Sequence, residues 1–137
     1  MPVQRLELKQ IRVCQRCGRG RAELETADGR RLAVPLDAVR ARELSGEEPA
    51  LRWLTDVVLV QLRASGVQPA EVVLDAGPGG LRALLSIVRN EDTDVIACTA
   101  QEGIGFAVRG RLRLYATDDA LATDAPPSTG DPGRTVH

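Results

Sequence analysis

Residues 72–115, VVLDAGPGGLRALLSIVRNEDTDVIACTAQEGIGFAVRGRLRLY, decide the fold. Aliphatic runs at 72–76 and 81–88 flank Gly77-Pro78-Gly79-Gly80, and residues 90–93 separate the second run from a third at 95–99. Short apolar runs bounded by turn-forming residues read as strands, so the stretch opens with a three-stranded meander. The period then changes. Over 101–109, Ile104, Ala107 and Val108 recur at helical spacing, Gly110 ends the helix, and Leu112, Leu114 and Tyr115 form another strand.

Towards the N-terminus, Val3, Arg5, Glu7 and Lys9 alternate with Gln4, Leu6, Leu8 and Gln10 before Ile11 and Val13 follow, which predicts a long strand with one slip, a bulge. A turn at 14–20 leads to a returning strand with Ala22, Leu24 and Thr26. Asp28-Gly29 then predicts a hairpin into a strand with Leu32, Val34 and Leu36. Asp37 is placed to cap a short helix carrying Val39, Ala41 and Leu44 on one face and stopped at Gly46. Thr55 or Asp56 is expected to cap a second helix at 57–64, whose Leu59, Val60 and Leu62 make it apolar nearly all round and hence the expected central core helix. Residues 118–122 predict one more helical turn. Residues 123–137 hold three prolines and two glycines with almost nothing apolar, and are expected to form a disordered tail. The expected class is α+β: a mixed or antiparallel sheet with hairpins and a meander, packed against two to three helices within residues 1–122.

The 137 residues are 43% hydrophobic and 27% charged, the range of folded domains that need neither disulfide nor metal to hold a core. Aromatics are only 2%, which argues against a single-strand reader that stacks bases. A net charge of −1 lacks the global field that draws proteins to nucleic acid or anionic membrane, so any such binding must be local. No apolar run approaches the roughly 20 residues that span a bilayer, and no membrane partner is expected. An N-terminus without a signal-peptide hydrophobic block and an odd count of three cysteines lead to the expectation of a cytoplasmic protein with reduced thiols.

Several motifs have two readings each. Cys14-Gln15-Arg16-Cys17-Gly18 has the spacing of a zinc knuckle, but structural zinc takes four ligands. The motif is either half of a site, completed by a second subunit's knuckle, or a plain hairpin turn. Arg12, Arg16, Arg19 and Arg21 around it are either a local phosphate-binding patch for nucleic acid or a solvated tip. Cys98 reads as a small buried hydrophobe. Gly77-Pro78-Gly79-Gly80 lacks the Gly-Lys-Ser/Thr ending of a nucleotide loop and reads as a hairpin turn. Glu91, Asp92 and Asp94 read as a solvated acidic turn. Glu102 is either a metal carboxylate or a charge favourable at its helix N-terminus.

Three blocks also resemble the bifunctional nuclease domain family over about residues 6–121. The family's LPIWIGxxEAxAI is similar to LAVPLDAVRAREL at 32–44, its RPLTHDLL to RWLTDVVL at 52–59, and its DARPSDAIALALR with a following PIYV strand to ACTAQEGIGFAVR at 97–109 followed by LRLY at 112–115. The resemblance implies an α+β homodimer and a metal-assisted nuclease acting on RNA and DNA, with Mg²⁺ or Mn²⁺ as cofactor. On the matched positions, Glu102 and Arg109 would be its catalytic residues. Arg40 stands where the family has Glu, Asp56 where it has His, Val57 and Ala97 where it has Asp, and Thr99 where it has Arg. A second reading of the same scaffold is a non-catalytic dimeric binding or regulatory module.

Overall fold

The computed structural model describes residues 3–46 and 50–123. The chain opens with strands β1 (Val3–Val13), β2 (Gly20–Thr26) and β3 (Arg31–Leu36), then helices α1 (Ala38–Ser45) and α2 (Leu54–Ala64). The meander follows as β4 (Val67–Gly77), β5 (Gly80–Arg89) and β6 (Asp92–Thr99). Helix α3 (Ala100–Gly110), strand β7 (Arg113–Thr117) and helix α4 (Asp118–Thr123) complete the described chain. The tail expected at 123–137 lies outside the described residues, apart from Thr123 at the end of α4. The strands form one seven-stranded sheet in the order β3-β2-β1-β7-β4-β5-β6. Every neighbouring pair is antiparallel except β4 with β7, so the α+β class with a mixed sheet is observed.

The slip in β1 is a bulge. Against β2 the register shifts between Leu8 and Gln10, so that Ile11 and Val13 follow Leu6 and Leu8 despite the break in alternation. The same device in β4 was not foreseen. Its register shifts between Pro69 and Glu71, which lets Val67 and Pro69 be buried before the shift and Val72 and Leu74 after it. Proline normally demotes a strand, and for that reason the first residues of β4 escape a reading based on pattern.

Helix α3, not α2, is the central helix. It buries Ala100, Gly103, Ile104, Gly105 and Ala107, whereas α2 buries only Thr55 and Leu59 and leaves Leu54 78% exposed. Its fit on the sheet depends on a missing side chain: a Cβ on Gly103 would lie 2.3 Å from the Ala83 Cβ of β5. The apolar ring of residues on α2 is thus only partly covered, with Val57, Val58 and Leu62 half-buried and Val60 exposed, and Val39 of α1, expected inward, is 63% exposed. Helix α2 also starts earlier than expected, with Trp53 as its N-cap and no side-chain cap. Asp92 and Asp94 belong to β6, opposite Arg89 and Ile87, so the acidic turn shrinks to Asn90-Glu91. Among the described residues the helices number four, against the two to three expected.

The two edge strands are tied at one end. The Asp37 N–H just after β3 donates to Gln101 Oε1 at 2.9 Å, and Gln101 Nε2 just after β6 donates to Asp37 Oδ2 at 3.1 Å. This clasp brings the start of α1 against the start of α3. Among the described residues no helix is long and apolar enough to cross a membrane.

Candidate functional site

The face where α1, α2 and α3 meet holds a cleft of about 300 Å³ lined by Arg40, Glu43, Trp53, Leu54, Glu102 and Phe106, with Asp37 and Val39 at its rim. Its floor is polar. Glu43 is 3% exposed, and its Oε1 accepts from Arg40 Nη1 at 2.6 Å, three residues back on the same helix. The same Nη1 donates to the Oγ1 of buried Thr55 at 2.8 Å. Glu43 Oε2 is buried and has no hydrogen-bond partner, and it is the one such side-chain atom among the described residues. A buried carboxylate oxygen left without a donor forgoes the solvation it had in water, which is costly in a folded domain. Arg40 lies against α3 at Gly105: a Cβ there would stand 2.6 Å from its Nη1, so a larger residue would push the guanidinium aside.

Two of the three aromatic residues, Trp53 and Phe106, line this cleft, and Val39 and Leu54 add exposed aliphatic surface. The cleft therefore pairs apolar walls with an acidic balance, since Asp37, Glu43 and Glu102 face a single lining cation, Arg40. Asp37 is held below the usual carboxylate range, first by the Arg40 backbone N–H at 2.8 Å that makes it the cap of α1.

The structure separates the two residues that the family resemblance makes catalytic. Glu102 lines the cleft, but its Oε1 accepts the Thr99 N–H at 2.9 Å while Thr99 Oγ1 accepts the Glu102 N–H at 3.2 Å. This capping box is a structural occupation and includes the favourable placement at the helix N-terminus. Arg109 sits about 10 Å further along α3 at 1.5 Å per residue, and does not line the cleft. It grips Asp56 with both arms, Nε to Oδ1 at 2.9 Å and Nη2 to Oδ2 at 2.5 Å. That fork holds the Asp56 carboxyl below its ordinary value. No cluster of three or more His, Cys, Asp or Glu side chains able to hold a metal occurs among the described residues.

At the β1–β2 turn the backbone of Cys17 meets the sulfur of Cys14. The Cys17 N–H points at Cys14 Sγ at 3.5 Å, Gly18 N–H donates to the Cys14 carbonyl at 3.0 Å, and Cys14 N–H to the Arg19 carbonyl at 2.7 Å. The Cys17 backbone N–H is the first cause that lowers the Cys14 thiol from its usual value, and Cys17 is exposed. Cys98, half-buried on β6, is pushed up to about 11 by burial and by Glu102 nearby. The arginine patch is partly offset: Arg12 Nε and Arg21 Nη2 both reach Glu23 Oε2, at 3.0 and 2.8 Å.

Sequence patterning did not single out the Arg40–Glu43–Thr55 cluster or the meeting of Trp53 with Phe106. One signal was present: Glu43 is a carboxylate two residues after Ala41 on the short helix whose other inward positions are apolar. No family model matches the chain, and no curated protein matches it.

Proposed function

We propose that the protein is a non-catalytic binding module whose α1–α2–α3 cleft takes a partner-protein segment that presents a basic side chain between apolar ones. The observation that carries this reading is the coincidence, in one cleft, of Trp53, Phe106, Val39 and Leu54 with a buried carboxylate whose Oε2 lacks a donor. A guanidinium or ammonium from a ligand supplies the missing donor and meets the acidic lining, while the aromatic and aliphatic walls take its apolar neighbours. The proposal places the protein in the cytoplasm, in keeping with its odd number of cysteines.

The nuclease reading has one observation in its favour: Arg40, Thr55, Asp56, Glu102 and Arg109, drawn from the three blocks that resemble the bifunctional nuclease family, lie on the neighbouring helices α1, α2 and α3. The residues present do not fit the metal such an enzyme would use. Glu102 is spent on its capping box, Asp56 on Arg109, and no third donor joins either among the described residues. Metal-assisted phosphodiester hydrolysis needs several such groups to converge.

Trp53 is the only tryptophan, so its fluorescence reports on the cleft directly. Titration with an apolar peptide centred on Arg is expected to give a saturable change, and Leu54→Ser, which removes an apolar wall without adding charge, to weaken binding about tenfold, or 1.4 kcal/mol. An equal response to the same peptide with Glu in place of Arg, or to a single-stranded oligonucleotide, refutes the proposed ligand class. Cleavage of RNA or DNA in Mg²⁺ or Mn²⁺ that disappears in Glu102→Ala would restore the hydrolase.

A further inference from the structure

We propose that Cys14 and Cys17 form half of a four-thiolate zinc site that the same pair from a second copy of this chain completes. The site lies outside the cleft and does not depend on the function assigned to it.

The backbone of the turn is already shaped for a metal. Cys14 N–H to the Arg19 carbonyl, Gly18 N–H to the Cys14 carbonyl and Cys17 N–H to Cys14 Sγ close a tight loop that sets the Cys17 backbone against the Cys14 sulfur. Gly18 makes the loop possible through a φ of 76°, which a side chain rarely adopts. A backbone N–H aimed at sulfur stabilises thiolate, the form that binds metal. A plain hairpin turn needs none of this sulfur geometry.

Donor chemistry then sets the metal and the stoichiometry. Thiolates are soft ligands, and zinc in a structural site is tetrahedral with four protein ligands. One chain offers two. Cys98 stands on β6, the opposite edge of the sheet from the β1–β2–β3 end, and no group of three potential ligands forms among the described residues. A second copy supplies a matched pair, and a metal on the two-fold axis of an isologous dimer sees both pairs equivalently. Cys17 is exposed at the hairpin tip, so two tips can approach each other. A zinc with four thiolates carries a charge of about −2. Arg16 and Arg19, exposed on the same turn, provide the opposing charge from each copy, while Glu23 already engages Arg12 and Arg21.

The test uses the full chain from zinc-supplemented growth, with metal content and molar mass measured on the same sample, followed by titration of the metal-free protein with Co²⁺. The expected result is one Zn²⁺ per two chains in a dimer, and a Co²⁺ titration that ends at the same ratio with the intense visible bands of tetrahedral thiolate coordination. Cys14→Ser with Cys17→Ser abolishes both the metal and the metal-dependent dimer, while Cys98→Ser changes neither. Should the double variant fail to fold, Cys17→Ser alone, at an exposed position, gives the same readout. Zinc far below half an equivalent per chain, one zinc per monomer, or metal retained in the cysteine variants overturns the proposal.

Discussion

Two of the buried polar clusters, one around Asp75 and one around Glu43, are built to different standards. In the first, Asp75 of β4 is 9% exposed and fully engaged: Thr117 Oγ1 donates to its Oδ1 at 2.8 Å, and Arg82 Nη2 lies 3.4 Å from its Oδ2. Thr117 Oγ1 in turn accepts the Ala120 N–H at 3.2 Å and starts α4, so each bond also fixes a chain direction. In the second, Arg40 serves both Glu43 and Thr55 from one nitrogen and leaves Glu43 Oε2 without a partner. Both clusters cost desolvation, but only the first recovers it within the fold. The first is cement between β4, β7 and α4. The second lies beneath the cleft with Trp53 and Phe106, and its unmet hydrogen bond is the one the proposed basic side chain would supply.

The largest expected effect breaks the second cluster. Arg40→Ala strands a buried carboxylate and should lower stability by about 3–5 kcal/mol, read by urea unfolding. A loss below that of the next variant would mean that Glu43 is not the strained group. Thr117→Val keeps the shape of the first cluster while it removes the donor to Asp75 and the cap of α4, for an expected loss of about 1–3 kcal/mol. An unchanged midpoint would show that the Asp75 bonds contribute nothing net.

A smaller effect comes from pH. Asp75 is held below its ordinary value, first by the Thr117 hydroxyl, and Asp56 by the Arg109 fork. A carboxyl lowered in the folded state adds stability that is fully present above its unfolded value of about 3.9 and is lost as pH falls through the folded one. Stability should therefore decline below about pH 4, and part of that decline should vanish in Asp56→Asn. The same decline in wild type and variant would remove Asp56 from the account. Because the Asp56–Arg109 pair is nearly a third exposed, screening keeps its share modest.

Much of the sheet was legible because strands and tight turns are local signals. The Asp28-Gly29 and Gly77–Gly80 turns, the β1 bulge and the β4–β5–β6 meander all follow from alternation and turn chemistry. The order of burial among helices was not. Helix α2 has the greasier run, yet α3 is central because Gly103 and Gly105 let it approach Ala83 and Arg40, a property of small residues that hydrophobic counting undervalues. The site was less legible still. Glu102 and Arg109 were singled out as a pair, but about two helical turns set them apart, and their partners Thr99 and Asp56 lie 3 and 53 residues away in sequence. Arg40 and Glu43 share one turn of α1, but Thr55 comes to them from α2, 15 residues away, a meeting that local pattern does not announce.

The claim that the second cluster serves binding and not folding is tested most directly by replacing its ion pair with apolar groups of similar size, Arg40→Met with Glu43→Leu. Thermal unfolding and Trp53 fluorescence would be measured on the same protein. The account predicts stability equal to or above wild type, by up to about 4 kcal/mol, together with loss of the response to the Arg-centred peptide. A marked fall in stability, or a peptide response that survives the exchange, would contradict it.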